Sequence, residues 1–269
     1  MRGSSRAAVI EGRQSFETAL VSGDPAVMAD ELFAVTGLLD DNATLRRSVA
    51  DPSREGRDKS ELITRLLDGK VSKQASDVVS VLVAQRWARE RDLTDTIERF
   101  AVEASLKGAE AGGALDQVED ELFRFERVVA GNPELRDALG NRLGDAGGKA
   151  ELVNTLLQGK TRPETVRLAR QSVLAPRGRR FDATIEAYLD IAGERRQQLT
   201  AVVTTAVDLT QEQRTRLSDA LQKIYSKPVL LQIIDDEDVI GGIRVQIGDE
   251  VVDGTILRRL DEAKRHLAG

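Results

Sequence analysis

The sequence predicts a mainly α protein that closes with a small α+β domain: an N-terminal helical bundle, a second inserted bundle repeating the first, then a small mixed sheet with two helices. Three observations predict it. Helix start and stop signals fill roughly the first two hundred residues. One helical segment occurs twice at a constant offset. From Leu199 onward the apolar period changes from helical to alternating. The composition agrees. The 269 residues suffice for about two or three modest domains, and 41% hydrophobic with 31% charged residues is an ordinary soluble balance. Aromatic residues are only 3%, so the core falls to Leu, Val, Ile and Ala, which favours helices.

Ser5 and Asp24 are read as helix N-caps, and Pro25 sits at a favoured first-turn position. Helix one is expected over residues 5–21, with Val9, Phe16, Ala19 and Leu20 on a thin apolar face. Helix two, residues 25–39, carries Val27, Met28, Leu32, Val35, Leu38 and Leu39 at core spacing. Shorter helices follow over residues 43–49, 59–67, 73–89 and 93–106. The run Val78-Val79-Ser80-Val81-Leu82-Val83-Ala84 is too short for a bilayer span of about 20 residues and reads as a buried helix segment. Trp87, the single tryptophan, is placed on that helix with Leu82, Val83 and Arg86, lining a core or a groove.

Glu31-Leu32-Phe33 recurs as Glu121-Leu122-Phe123. At the same offset Asn42, Leu45 and Arg46 return as Asn132, Leu135 and Arg136. Lys59, Glu61, Leu62, Leu66, Leu67, Gly69 and Lys70 return as Lys149, Glu151, Leu152, Leu156, Leu157, Gly159 and Lys160. Roughly a third of the positions coincide over about forty residues without a gap, the mark of an internal duplication. After a small slip, Thr96-Ile97-Glu98 is echoed by Thr184-Ile185-Glu186 and Phe100 by Tyr188. The copies differ at their start: helix one precedes the first, whereas residues 108–114, rich in Gly and Ala, precede the second as a junction. The second copy is therefore a bundle lacking one helix, and its uncovered apolar stripe must pack on the first copy, on the C-terminal domain or on a partner.

Beyond Leu199, Ala201, Val203, Thr205 and Val207 share one face of a strand, and Val229, Leu231 and Ile233 one face of another. Between them Thr210-Gln211-Glu212-Gln213 is a capping box opening a helix that turns Leu217, Leu221 and Ile224 to the sheet. Ile243, Val245 and Ile247 alternate with Arg244 and Gln246, a strand with one wet face. Asp253 or Thr255 caps a closing helix with Ile256, Leu257, Leu260, Ala263 and Leu267 as its buried stripe. The domains expected are residues 1–106, 107–198 (a duplication of about 31–103) and 199–269.

Catalysis loses most of its tools. No cysteine is present, which removes disulfides, thiolate nucleophiles and Cys-based metal sites and points to a cytosolic protein. The one histidine, His266, lies near the end of the closing helix, where a solvated cation suits the helix dipole. No His-based metal site or shielded triad can be assembled from it. The net charge of −6 argues against nucleic acid, whose binding rests on Lys and Arg. Arg162, Arg167, Arg170, Arg177, Arg179 and Arg180 crowd one stretch, which either meets an acidic partner or solubilises a helix and its loop, the second being the commoner case. Gly241-Gly242 and Gly248-Asp249 lack the Lys-Ser/Thr of a phosphate loop and read as turns. Gly69 and Gly159 read as helix C-caps, with Lys70 and Lys160 as dipole partners. Asp235-Asp236-Glu237-Asp238 reads as a solvated turn between strands, not a metal loop. The N-terminus has no hydrophobic run of signal-peptide kind. Catalytic residues, cofactors, metals and direct membrane insertion are all expected to be absent.

The C-terminal order is specific: strand, helix with Leu217-Ser218-Asp219-Ala220-Leu221, Lys227-Pro228-Val229 leading a strand, Ile240-Gly241-Gly242-Ile243, Gly248-Asp249, and Val252-Asp253-Gly254-Thr255 before a helix with Arg259-Leu260. It resembles the delta subunit of bacterial F-type ATP synthase, the counterpart of the mitochondrial oligomycin sensitivity conferring protein, strongly over residues 199–269. The helical start, with Arg6 ahead of helix one and Thr96-Ile97-Glu98-Arg99-Phe100 at its end, resembles that family's six-helix bundle more loosely. The chain departs from the family in its second helical copy, a lengthened form with an internal duplication. The resemblance implies a non-catalytic peripheral-stalk, or stator, subunit, one copy per complex, at the cytoplasmic face of the plasma membrane. Its helical N-terminal domain would receive alpha-subunit N-terminal helices on top of the alpha/beta head, and its C-terminal domain would meet the b subunit. The absence of a membrane-spanning b-like segment argues for a separate subunit. On that basis Val9, Arg13 and Phe16 are expected at the alpha-binding groove and Ile243, Val245, Ile256 and Leu260 in the b-contact domain. Two other readings stand beside it. A free-standing helical-repeat scaffold or adaptor would keep the duplication without the synthase. An enzyme using carboxylates near Asp235 and Asp249 would need a concave, desolvated pocket where the sequence offers turns.

Overall fold

Five helices occur twice, in the same order and with nearly the same lengths, because the capping residues repeat with the segment. The computed structural model describes residues 3–141, 143–197, 199–207, 209–225, 227–236, 239, 242–247 and 250–253. The first copy comprises α1 (Gly3–Ser22), α2 (Pro25–Asp41), α3 (Ala43–Ala50), α4 (Gly56–Leu67), α5 (Lys73–Ala84) and α6 (Glu90–Ala111). The second comprises α7 (Leu115–Gly131), α8 (Pro133–Gly140), α9 (Ala146–Leu157), α10 (Pro163–Leu174) and α11 (Phe181–Gln197), the counterparts of α2 to α6. The two copies belong to one compact unit, Met1–Gly193, and Glu194–Gly269 form a second.

The repeated caps are physical. Asn42 accepts the Leu45 amide at 3.0 Å and Asn132 accepts that of Leu135 at 3.1 Å, each satisfying an orphan donor at a helix start. Gly69 (φ 65°) and Gly159 (φ 74°) take the left-handed conformation that ends α4 and α9, and the following amides return to Leu67 O and Leu157 O. Lys160 also donates to Leu156 O at 3.1 Å, the dipole partner its position predicts. Glu31 accepts the Ser72 amide at 2.7 Å and Glu121 the Arg162 amide at 2.8 Å, so in both copies a carboxylate from the first repeated helix grips the start of the fourth.

Several expected elements are corrected. Asp24 caps α2 as expected, accepting from the Ala26 and Val27 amides. Ser5 is no cap: the helix already runs from Gly3, and Ser5 is buried within it. The helix expected over 73–89 stops at Ala84, so Trp87 lies in the connection to α6, where its indole N–H donates to Leu82 O at 2.8 Å and caps the end of α5. Residues 108–111 belong to α6, whose Ala109 is buried; only Gly112-Gly113-Ala114 forms the turn, with Gly113 at φ 63°. Val27 and Leu38 are exposed on α2.

α6 is enclosed on every side over residues 100–106. Ile97, Phe100, Ala101, Val102, Ala104 and Leu106 are all inaccessible, as expected for a helix packed by neighbours around its circumference. It packs on α2, α1, α3 and α5 of its own copy and on α7 and α10 of the second.

In the second unit β1 (Leu199–Thr205), α12 (Gln211–Tyr225), β2 (Val229–Asp235), β3 (Ile243–Ile247) and β4 (Glu250–Asp253) give a sheet ordered β2-β1-β3-β4. β1 and β2 are parallel, joined through α12, while β3 is antiparallel to both β1 and β4. Thr210 and Gln213 form the reciprocal cap, each amide bonding the other's side chain at 2.8 and 3.3 Å. Ala201, Val203, Leu221, Val229, Val245 and Ile247 form the unit's core cluster, and Thr205 and Val239 are also buried. Val207 does not extend the β1 face, because the strand ends at Thr205, whose hydroxyl bonds the Val207 backbone in a turn. Ile224 points to solvent, and Tyr225, a full turn beyond Leu221, packs on the sheet in its place. The expected closing helix, with Ile256, Leu260 and His266, lies outside the described residues, as do Glu237, Asp238, Gly241, Gly248 and Asp249.

Candidate functional site

Helix α1, present in the first copy alone, is fastened by polar contacts at its start and by rings at its middle. The Ser5 hydroxyl donates to Asp92 at 2.7 Å and accepts the Ala88 amide at 2.9 Å, tying α1 to the start of α6. Burial works to raise the Asp92 carboxyl, yet the hydrogen bonds from Ser5 and Arg89 outweigh it and hold the group below its ordinary value. Gly12 faces Leu82 of α5 so closely that a Cβ there would collide with the leucine side chain. Glycine is what lets α1 and α5 meet.

Phe16 is 0% exposed and stacks on Phe100 with centroids 4.5 Å apart. Arg13 donates to both Glu103 oxygens, once at 2.8 Å, and its guanidinium lies 4.7 Å from the Phe100 ring centroid. Burial opposes its charge, but the carboxylates of Glu103 and Glu17 prevail and raise its pKa. Val9 is half-buried against the same core. Of the residues expected at the groove, Phe16 and Arg13 thus meet at one point on α6 and fix the attitude of α1. The accessible groove lies on the other side of that helix. It is a cleft of about 380 Å³ between Glu11, Gln14 and Thr18 of α1 and Gln74, Asp77 and Val81 of α5. Ile10 and Val21 are exposed on the outer side of α1.

The second copy has no such helix, and its α10, the counterpart of α5, packs on α6 instead. Arg167, Arg177 and Arg179 of the arginine-rich stretch make this junction with acids of the first copy, whereas Arg162, Arg170 and Arg180 pair with Glu164, Glu151 and Asp182 of their own copy. Arg167 donates to Asp30 at 2.6 Å. Arg177 (φ 54°) donates to Glu98 at 2.6 Å and Thr94 at 2.7 Å, and pairs with Asp40 and with Asp95 at 2.8 Å. Arg179 also reaches Glu98, and the buried Tyr188 hydroxyl donates to the same carboxylate at 3.2 Å. Burial, then Glu98, pushes the Tyr188 phenol well above its ordinary value, and burial raises the Asp95 carboxyl despite Arg177. Each of these charges has a hydrogen-bonded partner, the condition under which burying it is tolerable. The signal for this clamp was in the repeat: Trp87 becomes Arg177 at the repeat offset, a plug exchanged for a cation. Which acids receive it is decided by the packing of α2 and α6, beyond the reach of sequence spacing.

In the second unit Val245 is 5% exposed and pairs in register with Val203 and Val252, while Ile243 is half-buried. Val251 and Val252 are exposed on β4, which is last in the sheet order and so an edge strand. Ile256 and Leu260 lie outside the described residues. Among the described residues there is no acidic or imidazole cluster able to hold a metal ion, and no helix long and apolar enough to cross a membrane.

A duplicated helical body with a helix-lined cleft, an internal clamp and a small mixed module defines a connector, a class of protein that works through its surfaces. The sequence model for the ATP synthase delta (OSCP) subunit matches residues 15–108 and again 102–267, two matches in keeping with the duplication. Similar proteins carry the name ATP synthase subunit delta. That of Streptomyces griseus subsp. griseus is 45% identical over the whole of both chains, and that of Kineococcus radiotolerans 43% identical over 99% of this chain and 98% of its own. That of Streptomyces avermitilis is 44% identical over the same shares. The chain belongs to the ATP synthase delta (OSCP) subunit family, whose members are structural stator subunits without a catalytic site.

Proposed function

We propose that the chain joins the top of the alpha/beta catalytic head to the b subunit of the peripheral stalk, holding the head still while the rotor turns. The partition is that of the sequence: residues 1–106 bind the head, residues 107–198 act as a spacer or additional grip, and residues 199–269 meet b. One copy per complex serves at the cytoplasmic face of the plasma membrane. The observation that carries this reading is the α1/α5 cleft, open to solvent, with Ala19 and Val81 among its polar lining, together with Ile10 and Val21 exposed on the same helix α1. An amphipathic helix from the alpha subunit N-terminus would lie along it, its apolar anchors contributing about 1.5–3 kcal/mol each when buried. In this proposal Val9, Arg13 and Phe16 shape the groove from beneath, through Phe100 and Glu103. Ile243, Val245, Ile256 and Leu260 build the b-contact domain, with Val251 and Val252 on its accessible edge.

The test is calorimetric titration of the chain with a peptide of the alpha N-terminal segment. Ile10→Asp and Val81→Asp are each expected to weaken binding by about tenfold or more. Unchanged affinity in both variants would reject the placement. Normal assembly and coupled ATP synthesis after removal of residues 107–198 would reject a bridging role for the second copy.

A further inference from the structure

The two copies can be compared position by position, and one region that is filled in the first is hollow in the second. In the first copy Trp87, Lys59, Arg46 and Leu82 are all buried, at 4%, 1%, 8% and 0% exposure. Lys59 donates to Gln85 O at 2.8 Å, Arg46 donates to Leu39 O at 3.1 Å and Asp40 O at 3.2 Å, and the Trp87 ring closes the end of α5. The second copy carries Arg177, Lys149, Arg136 and Ser172 at these places. None of the four fills the space. Arg177 leaves for the acids of the first copy, Lys149 turns to Asn141 O on the surface, Arg136 stands half in solvent, and Ser172 is small. What remains is a cavity of about 660 Å³ among α7 to α11, within the range of about 300–1,000 Å³ typical of ligand sites.

Its lining has a definite chemistry. Val129, Leu139, Val173, Pro176 and Phe181 give an apolar body, and Arg179 lies on the wall. Arg179 Nε is shielded from solvent and has no acceptor, a buried donor of the kind that calls for a ligand oxygen. Lys149 and Arg180 add positive charge, against Glu126, Asp137 and Asp182. Where the first copy inserts its own indole, the second offers room for a ring and a hydrogen-bond donor beside it.

We propose that this cavity is a binding site for a planar apolar ring bearing a nearby carboxylate, supplied either by a free aromatic acid or by an aromatic side chain next to an acidic residue on a neighbouring polypeptide. The site does not depend on the stator assignment, since it is formed wholly within the second helical copy.

The test uses the full chain and indole-3-propionate as probe in calorimetric titration, with indole-3-propionamide as the neutral comparator and N-acetyl-Asp-Trp-amide as the peptide form. Ser172→Leu restores the first copy's residue and partly fills the cavity, and Ser172→Val is a smaller filler in case leucine disturbs folding. Saturable 1:1 binding of the acid is expected, weakened by about tenfold in the neutral amide and by about tenfold in either filled variant, with a raised Tm in the filled chain. The peptide binding more tightly than the free acid would identify a polypeptide source, and the reverse a free acid; both support the site. No saturable binding of either probe, or binding that both filled variants leave unchanged, would overturn it.

Discussion

The first helical copy surrounds α6 with its own α1, α2, α3 and α5 and leaves the α1/α5 cleft open; the second lacks a sixth helix and presses the equivalent of α5 onto α6. The same five-helix segment therefore does two jobs. In the first copy Trp87 seals the bundle from within and α1 supplies an outer face. In the second, Arg177 stands at the tryptophan position and reaches across to Asp40, Asp95 and Glu98, converting a hydrophobic plug into a clamp. The difference teaches that duplication alone does not double a solvent-facing cleft. What decides between an open face and an internal mount is whether α1 precedes the copy and which residue stands in the connection after α5.

That contrast can be broken most severely at the clamp. Arg177→Ala leaves the nearly inaccessible Glu98 and the partly buried Asp40 short of a partner. Breaking a buried pair costs about 3–5 kcal/mol, and the loss should fall at the lower end because Arg179 still faces Glu98. Denaturant unfolding would check it; a change near zero would mean the two copies are not held by this cluster. Next in size, Gly12→Ala forces a methyl into the fully buried Leu82 side chain and should destabilise by about 1–3 kcal/mol while pushing α1 off α5. Thermal unfolding with and without the alpha peptide would show both effects.

The smallest effect sharpens the comparison by pH. The carboxylate of Asp92 is held below its ordinary value, so its stabilisation is present above about pH 3.9 and lost as pH falls through the depressed folded value. Asp92→Asn should lower Tm at neutral pH, with the gap to the parent chain closing on acidification. Asp182, a carboxylate near the start of α11 as Asp92 is near that of α6, forms its ion pair with the exposed Arg180 and tethers no extra helix. Asp182→Asn should therefore shift Tm less at neutral pH, and equal shifts for the two variants there would remove the special role of the Ser5–Asp92 tie.

Much of this was legible because it is local. Asp24, Asn42, Asn132, Gly69, Gly159 and the Thr210/Gln213 box act through backbone groups a few residues away, and the structure places each as its spacing required. The alternation of Ile243, Val245 and Ile247 likewise fixed a strand with one buried face. The misreadings occur where a distant partner overrides the local signal. Ser5 carries cap chemistry but is used by Asp92, and the helix containing Trp87 ends early because its indole is needed on Leu82 O. The arginine cluster left two readings open because the acids that Arg167, Arg177 and Arg179 meet lie more than seventy residues away in sequence. Of the candidate groove residues, Val9 and Phe16 lie on the apolar face of helix one that the helical period marked, and that period marks a face turned inward as readily as one turned outward.

The most direct measurement is a nuclear magnetic resonance titration of the labelled chain with the alpha N-terminal peptide, following the methyl groups of both helical copies. The account predicts saturable perturbation at Ile10, Val21 and Val81, with Val166 and Val173 on α10 left in place. Perturbation centred on α10, or none on α1 and α5 at saturating peptide, would contradict it.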